Sequence, residues 1–388
     1  MISFENTEIA CSAKSNSELN RSYWLFKLVS SPSLVSFGKK FTNFAIATHL
    51  PINWIIKPTI FKQFCGGENI EECSRTIEEL GKFNIGTILD YSVEGKESEK
   101  DFDACAVETI ATVDKAKGNK NIPFCVFKIT GLARFHLLEK VSAADTLTEE
   151  EKTEYQRVEK RINNICKRAF ENDVPIFIDA EESWIQQAMD KMANKMMVLY
   201  NKQKPIVYNT FQLYRSDRLE YLKHSHSLAQ QGAYFLGAKL VRGAYMEKER
   251  KRAQELNYPS PIQDTKENTD KDYDAALEFC AKNISNIGLC SGTHNEKSSL
   301  LLAQLMEQQK IARSNNQIYF SQLFGMSDHI SYNLANAGYN VSKYVPYGPI
   351  KEVLPYLIRR AQENTSVKGQ TGRELNIIIK EKNRRSGK

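Results

Sequence analysis

From about residue 85 onward, short apolar or β-branched runs alternate with longer stretches whose apolar positions recur at helical spacing. The short runs predict strands and the longer stretches predict helices. The predicted strands are Ile85–Tyr91, Phe124–Ile129, Pro175–Asp179, Ile206–Gln212, Phe235–Arg242, Ile287–Ser291, Ile318–Leu323 and Val341–Val345. Each is followed by a helical pattern, directly or across a loop. Eight such units in roughly 300 residues fit an α/β (β/α)8 barrel. A doubly wound sheet is the alternative, but no GxGxxG follows any strand, so a Rossmann dinucleotide site has no support. Residues 15–80 read as helices broken by Pro51 and Pro58. Segments 93–104 and 113–122 are charged and read as surface loops or exposed helix ends. Leu256-Asn257-Tyr258-Pro259-Ser260-Pro261 reads as an ordered loop. The expected division is a helical arm over 1–82, a barrel over 83–372 and a basic tail over 373–388.

Composition adds limits. The 388 residues carry 53 Lys and Arg against 47 Asp and Glu, a net charge of +6. That is mild for the length and gives no argument for nucleic acid. Apolar content of 41% and charged content of 26% are ordinary for a globular protein. The eight cysteines are scattered without a CxxC pair, which leaves zinc unsupported and suits free thiols in a reduced compartment. The first twenty residues hold Glu5, Glu8 and Glu18 and no arginine, which speaks against a transit peptide. The charge-free stretch Phe41–Ile56 contains Asn43, His49, Pro51 and Asn53, too short and polar to span a bilayer.

In a (β/α)8 barrel, functional groups gather at the C-terminal ends of the strands. In order, those ends carry Asp90; Lys128; Asp179-Ala180-Glu181-Glu182; Gln212 and Arg215; Arg242-Gly243-Ala244-Tyr245; Thr293-His294-Asn295; Gln322-Leu323; and Tyr344. Singly, each has a plain reading. Lys128 could snorkel to solvent, Asp179 could cap a helix, and His294 could be structural. Gln212 could bond the backbone. Gly243 could serve a turn or the close approach of a cofactor. A complete ring of such ends reads as a site. Beyond them, Arg359 and Arg360 sit late in a helical stretch starting near Pro349, and Glu363 follows Arg360 at helical spacing. Paired guanidinium groups bind a carboxylate bidentately, with the acid orienting the second fork.

These segments together resemble the proline dehydrogenase (proline oxidase) family, over residues from about 85 to 365. The resemblance rests on Leu89-Asp90-Tyr91-Ser92-Val93-Glu94, Phe127-Lys128-Ile129-Thr130, Ile178-Asp179-Ala180-Glu181, Phe211-Gln212-Leu213-Tyr214, Lys239-Leu240-Val241-Arg242-Gly243-Ala244-Tyr245, Gly292-Thr293-His294-Asn295, Gln322-Leu323-Phe324-Gly325-Met326 and the stretch from Tyr344 to Asn364. It implies a distorted (β/α)8 TIM barrel with a helical N-terminal arm, FAD across its top and the last helix over its mouth. Arg359 lies about 14 Å along that helix, and the resemblance implies that both arginines face the substrate.

The resemblance also implies the reaction and the roles. L-proline loses a hydride from C5 to flavin N5 and becomes Δ1-pyrroline-5-carboxylate. Arg359, Arg360 and Lys128 hold the carboxylate, with Glu363 positioning Arg360. Ala244, Tyr245, Leu323 and Tyr344 wall the ring. Asp179 is an acid near the substrate. The cofactor side takes Ala180, Gln212, Lys239, Val241, Arg242, Gly243, Thr293, His294, Asn295, Arg360 and Glu363, with Arg242 also counted as catalytic. No metal is expected. Electrons pass to a membrane quinone, so a membrane surface is an expected peripheral partner, and a pyrroline-5-carboxylate dehydrogenase is a candidate one. The expected location is cytoplasmic at the inner membrane, or the matrix side of the mitochondrial inner membrane.

Lys239 and Arg242 keep the positive charge where the family's bifunctional bacterial members have arginine and lysine, and Met246 replaces their tryptophan. The stretch from Tyr245 to Arg250, with Tyr258-Pro259-Ser260-Pro261-Ile262, is similar to the mitochondrial branch, and the monofunctional type is expected. Two other chemistries stay open on the residues alone: a Schiff-base lysine at Lys128, and a silent carboxylate-binding protein. For membrane contact, Ile377-Ile378-Ile379 beside Lys380, Lys382, Arg384, Arg385 and Lys388 offers an apolar patch with cations, against a merely soluble tail.

Overall fold

Each apolar run of the barrel region forms a strand buried along almost its whole length, the pattern of a parallel sheet covered on both faces. The computed structural model describes residues 2–29, 56–92, 97–366 and 370–387. Pro51, most of the Phe41–Ile56 stretch and residues 93–96 lie outside them, as does the side chain of Glu363.

The chain begins with α1 (Thr7–Ala10) and α2 (Asn16–Val29). A π-helical turn, Lys57–Phe61, leads into α3 (Lys62–Phe64), and α4 follows (Ser74–Gly81). Pro58 therefore starts a helical turn instead of breaking one, as its missing N–H permits. Then come β1 (Ile85–Tyr91), α5 (Glu99–Ala116), β2 (Phe124–Lys128), α6 (Phe135–Ala143), α7 (Glu149–Glu171), β3 (Ile176–Asp179), α8 (Ser183–Tyr200), β4 (Val207–Gln212) and α9 (Arg218–Gln231). The chain continues with β5 (Leu236–Val241), α10 (Met246–Glu255), α11 (Lys266–Lys282), β6 (Ile287–Gly292), α12 (Glu296–Gln308), β7 (Ile318–Leu323), α13 (Asp328–Asn336), β8 (Val341–Tyr347), α14 (Ile350–Ser366) and α15 (Gln370–Arg385). The eight strands close in sequence order into a parallel barrel. The predicted strands are all present, within two residues at each end.

Two compact units make up the chain: residues 1–94 with 322–388, and residues 95–321. In the second, Phe124, Phe177, Tyr208 and Tyr319 form an aromatic cluster. Phe124 stacks on Phe177 at 4.5 Å and meets Tyr319 edge-on at 4.7 Å. The register sets Lys128 beside Asp179, and Thr210 beside Lys239. In the first unit, Val353, Leu354 and Leu357 of α14 pack with Phe61, Phe64 and Met326, and Leu323 joins that cluster. The expected basic tail forms α15, where Ile377 and Ile378 are buried with Leu19 and Phe26 of α2. This corrects the apolar patch expected for a membrane. Only Ile379 of the three isoleucines is exposed. No helix among the described residues is long and apolar enough to cross a membrane. Seven of the eight free cysteines are buried and Cys105 is half-buried.

Candidate active site

Strand β3 ends on Asp179, which accepts a hydrogen bond from Lys239 Nζ at 2.5 Å. Lys239 projects from β5, so the pair ties two strands that flank β4. Thr210 Oγ1 reaches the same Asp179 oxygen at 3.5 Å. Both charged groups are largely removed from water, with side-chain exposures of 7% and 14%. Such a pair holds its geometry because breaking it would leave an uncompensated charge. Lys128, half-buried, closes β2 in register with Asp179.

Two positions further, Glu181 is buried and accepts from Thr130 Oγ1 at 2.7 Å and from Thr130 N at 3.3 Å. Burial pushes its carboxyl up to about 7, against the pull of the nearby Lys128 and of the Thr130 hydrogen bond. Its backbone oxygen accepts from Gln212 Nε2 at 2.6 Å, which fixes the buried Gln212 amide at the end of β4. Glu181 was visible in the sequence only as one of four residues at a strand end. Nothing local distinguished it from its neighbours.

The loop after β5 carries Arg242. Its guanidinium donates to Asp270 Oδ1 at 2.7 Å, Thr293 Oγ1 at 2.7 Å and Ser298 Oγ at 2.9 Å, and lies 4.2 Å from the Tyr273 ring centroid. Asp270 of α11 and Ser298 of α12 are partners the sequence did not reveal, since each sits on a helix remote in the chain. Thr293 Oγ1 in turn accepts from Asn295 N at 3.1 Å, and Asn295 caps α12 through Lys297 N and Ser298 N. The side-chain oxygen of Asn295 is thus occupied as a helix cap. Gly243 follows with φ +128°, and a Cβ there would lie 2.4 Å from the Tyr214 ring. The close approach at Gly243 is that of this ring. Val241, Tyr245 and His294 are half-buried, whereas Ala244 is exposed. The β3 and β5 loops are fastened together. Lys248 Nζ donates to Glu182 at 2.8 Å, while Ser183 N and Oγ both donate to the fully buried Glu249 at 2.6 Å.

The first unit brings Leu323, Tyr344, Arg359 and Arg360 onto β7, β8 and α14. Tyr344 is 7% exposed. Arg360 is 8% exposed and its guanidinium lies 5.3 Å from the Tyr356 ring centroid one turn earlier. A buried guanidinium keeps its charge and so marks a place for an anion or an acid. Arg359 is half-buried.

A flavin dinucleotide presents an anionic pyrophosphate and a flat ring with polar edges. The second unit offers matching chemistry: cations at Lys239 and Arg242, a fixed amide at Gln212, and Thr293 to Asn295 at the N-terminus of α12, where the helix dipole favours negative charge.

Residues 73–373 match the family described as proline dehydrogenase. The chain is 35% identical to "Proline dehydrogenase 1, mitochondrial" of Dictyostelium discoideum, over 96% of this chain and 73% of that protein. It is 31% identical to "Hydroxyproline dehydrogenase" of Xenopus laevis, over 96% of this chain and 88% of that protein. Among solved structures, proline utilization A (PutA) from Bdellovibrio bacteriovorus, inactivated by N-propargylglycine, superposes with a TM-score of 0.73 at 20% identity. The match covers 93% of this chain and 38% of that one, so the chain spans about two-fifths of the PutA protein.

Proposed function

Because this chain belongs to the proline dehydrogenase family and is an enzyme that oxidises proline, we propose that it removes a hydride from C5 of L-proline and a proton from the amine, giving Δ1-pyrroline-5-carboxylate. The cofactor of this reading is FAD, which when bound would supply the two-electron acceptor, with a membrane quinone as the final acceptor. Gln212, Lys239, Val241, Arg242, Gly243 and Ala180 hold its ring side, and Thr293, His294 and Asn295 hold its pyrophosphate and adenosine side. Arg359 and Arg360 bind the substrate carboxylate, with Lys128 adding charge and Glu363 orienting Arg360. Ala244, Tyr245, Leu323 and Tyr344 wall the ring. Asp179 keeps the basic groups in place through Lys239.

The observation that carries this reading is the strand-end constellation of the second unit. Asp179 is locked to Lys239 with Lys128 in register beside it, and Arg242 is anchored by three partners. Preorganised charges of this kind orient a substrate without reorganising during the reaction. The amine must be neutral before hydride can leave, so the rate rises with pH through the amine's ionisation. Relatives named mitochondrial support a mitochondrial location, the alternative to the cytoplasmic one. A quinone acceptor requires peripheral membrane contact, and a pyrroline-5-carboxylate dehydrogenase would consume the product.

The test is anaerobic addition of L-proline to the purified, flavin-loaded protein. The flavin absorbance should bleach stoichiometrically, with formation of the cyclic imine. Unchanged absorbance at saturating proline overturns the proposal.

A further inference from the structure

The six residues from the end of β7 to the start of α13, Leu323 to Asp328, make few hydrogen bonds to one another. Within the segment, Met326 N donates to Leu323 O at 3.2 Å. Ser327 O accepts from Ile330 N at 3.0 Å and Ser331 N at 3.1 Å in α13, and further backbone groups are taken by distant parts of the chain. Phe324 N donates to Tyr344 O at 2.8 Å. Gln63 Nε2 donates to Gly325 O at 2.9 Å, and Ser22 Oγ of α2 donates to Gln63 Oε1 at 3.2 Å. Lys343 Nζ, on a side chain 1% exposed, donates to Met326 O and to Leu323 O. Ser327 N donates to Glu374 of α15. Asp328 then joins Lys343 at 2.9 Å to Lys14 at 2.6 Å.

The backbone of this segment is not one it would adopt unaided. Gly325 has φ +75° and Ser327 has φ 51°, and the second is a left-handed conformation that a residue with a Cβ rarely takes. A Cβ at Gly325 would also meet Gln63 O at 2.0 Å. Such a conformation persists where its surroundings over-determine it. Here the surroundings are α15, the residues around α1 and α2, and β8. They form one network, because Arg385 donates to Cys11 O at 3.0 Å and to Lys14 O at 2.8 Å, and Thr7 Oγ1 donates to Glu381 at 2.9 Å. Burial works against the charge on Asp328, yet Lys14 and Lys343 hold its carboxyl well below the usual carboxylate range.

We propose that Glu374, Asp328, Lys343 and Lys14 are positioning residues for substrate, and that the C-terminal helix and the N-terminal segment together brace the β7–α13 loop so that Leu323 stands where the proline ring needs it. The inference rests on the proposed function for the identity of the ring and on the hydrogen bonds for the brace. The loop is built as a wall of the site but is held from outside it, so substitutions remote from any ligand act on substrate binding.

The experiment compares the full-length flavin-loaded protein with Glu374→Ala and Glu374→Gln. It reads KM and kcat for L-proline, flavin absorbance, and amide hydrogen exchange of peptides spanning residues 323–328. Removing the acceptor of Ser327 N in Glu374→Ala should raise KM about tenfold with kcat within about threefold and the flavin retained. Exchange in the loop should accelerate while that in β8 does not. Glu374→Gln keeps an oxygen for Ser327 N and should recover most of both readouts. If Glu374→Ala does not fold, Lys14→Met removes one of the two cations on Asp328 and should produce the same split. An unchanged KM, or loop exchange equal to that of the unaltered protein, overturns the brace whatever happens to the melting temperature. If the unaltered protein does not oxidise proline, the proposed function fails, and the exchange measurement decides the brace by itself.

Discussion

Arg359 and Arg360 carry the most specific prediction at the scale of single residues. Arg360 is buried beside the Tyr356 ring, and the proposed function makes the substrate carboxylate its anionic partner. Arg359→Met and Arg360→Met should each weaken proline binding by about 2–4 kcal/mol, read as a rise in KM. Unchanged KM in both would refute the carboxylate clamp. Tyr344 should disfavour a hydroxyl on C4 of the ring, so Tyr344→Ser should raise kcat/KM for trans-4-hydroxyproline relative to proline. Equal use of both substrates by the unaltered protein would contradict that role. Glu181 makes a pH prediction. Its carboxyl is raised by burial to about 7, so folding favours the protonated form. Its contribution to stability is complete below the ordinary carboxylate range and is lost as pH climbs through 7. A shift of this size corresponds to about 3 kcal/mol. Melting curves of the unaltered protein should therefore fall toward or below those of Glu181→Gln between about pH 4.5 and 7, a range set by that shift. Parallel curves for the two proteins would show that Glu181 does not titrate there.

At the scale of elements, the strands were legible because parallel strands of a closed barrel are apolar along their length, and their polar ends stand out against that background. Helix α5 was harder to see. Its start holds Glu99, Lys100, Asp101 and Asp103, which left a surface loop and an exposed helix end as equal readings. Ser98 nevertheless caps it, and Phe102, Ala106 and Val113 form the buried stripe. The polar residues at the strand ends were legible for the same reason as the strands, whereas their partners were not. Asp270 and Ser298 of α11 and α12 meet Arg242 only through the fold. The β5–α10 loop offers a test of how tightly the site's own loop is built. Gly243 combines a positive φ with the Tyr214 ring at 2.4 Å from a would-be Cβ. Gly243→Ala should therefore cost about 1–3 kcal/mol in backbone strain alone and lower kcat/KM by displacing Arg242. Pairing it with Tyr214→Ala should relieve the ring contact but not the dihedral, and so recover only part of the loss. Full additivity of the two changes would show that they do not interact.

For the molecule as a whole, both ends of the described chain belong to one compact unit, and the sequence suggested a different fate for one of them. Three isoleucines followed by a row of cations look like a membrane contact when no partner is in view. In the structure Ile377 and Ile378 face Leu19 and Phe26, and the cations Lys380, Lys382, Arg384 and Arg385 are already engaged. Arg384 and Arg385 pair with Glu381, Arg385 also binds backbone carbonyls near α1, and Lys380 reaches Glu5 at 3.1 Å. No property of the segment itself could distinguish these outcomes, because apolar periodicity states that a face will be covered and not what covers it. The two readings separate in a soluble assay without lipid. If α15 is a packed element, Ile378→Ala removes buried methyl and methylene groups from a core position and should cost about 2–5 kcal/mol. With flavin saturating, that should appear as a drop in melting temperature on the order of 5–10 °C. A membrane contact alone would leave the melting temperature in lipid-free buffer unchanged and reduce only co-sedimentation with anionic vesicles. A melting temperature equal to that of the unaltered protein would therefore return Ile378 to the membrane and remove α15 from the set of elements on which the fold depends.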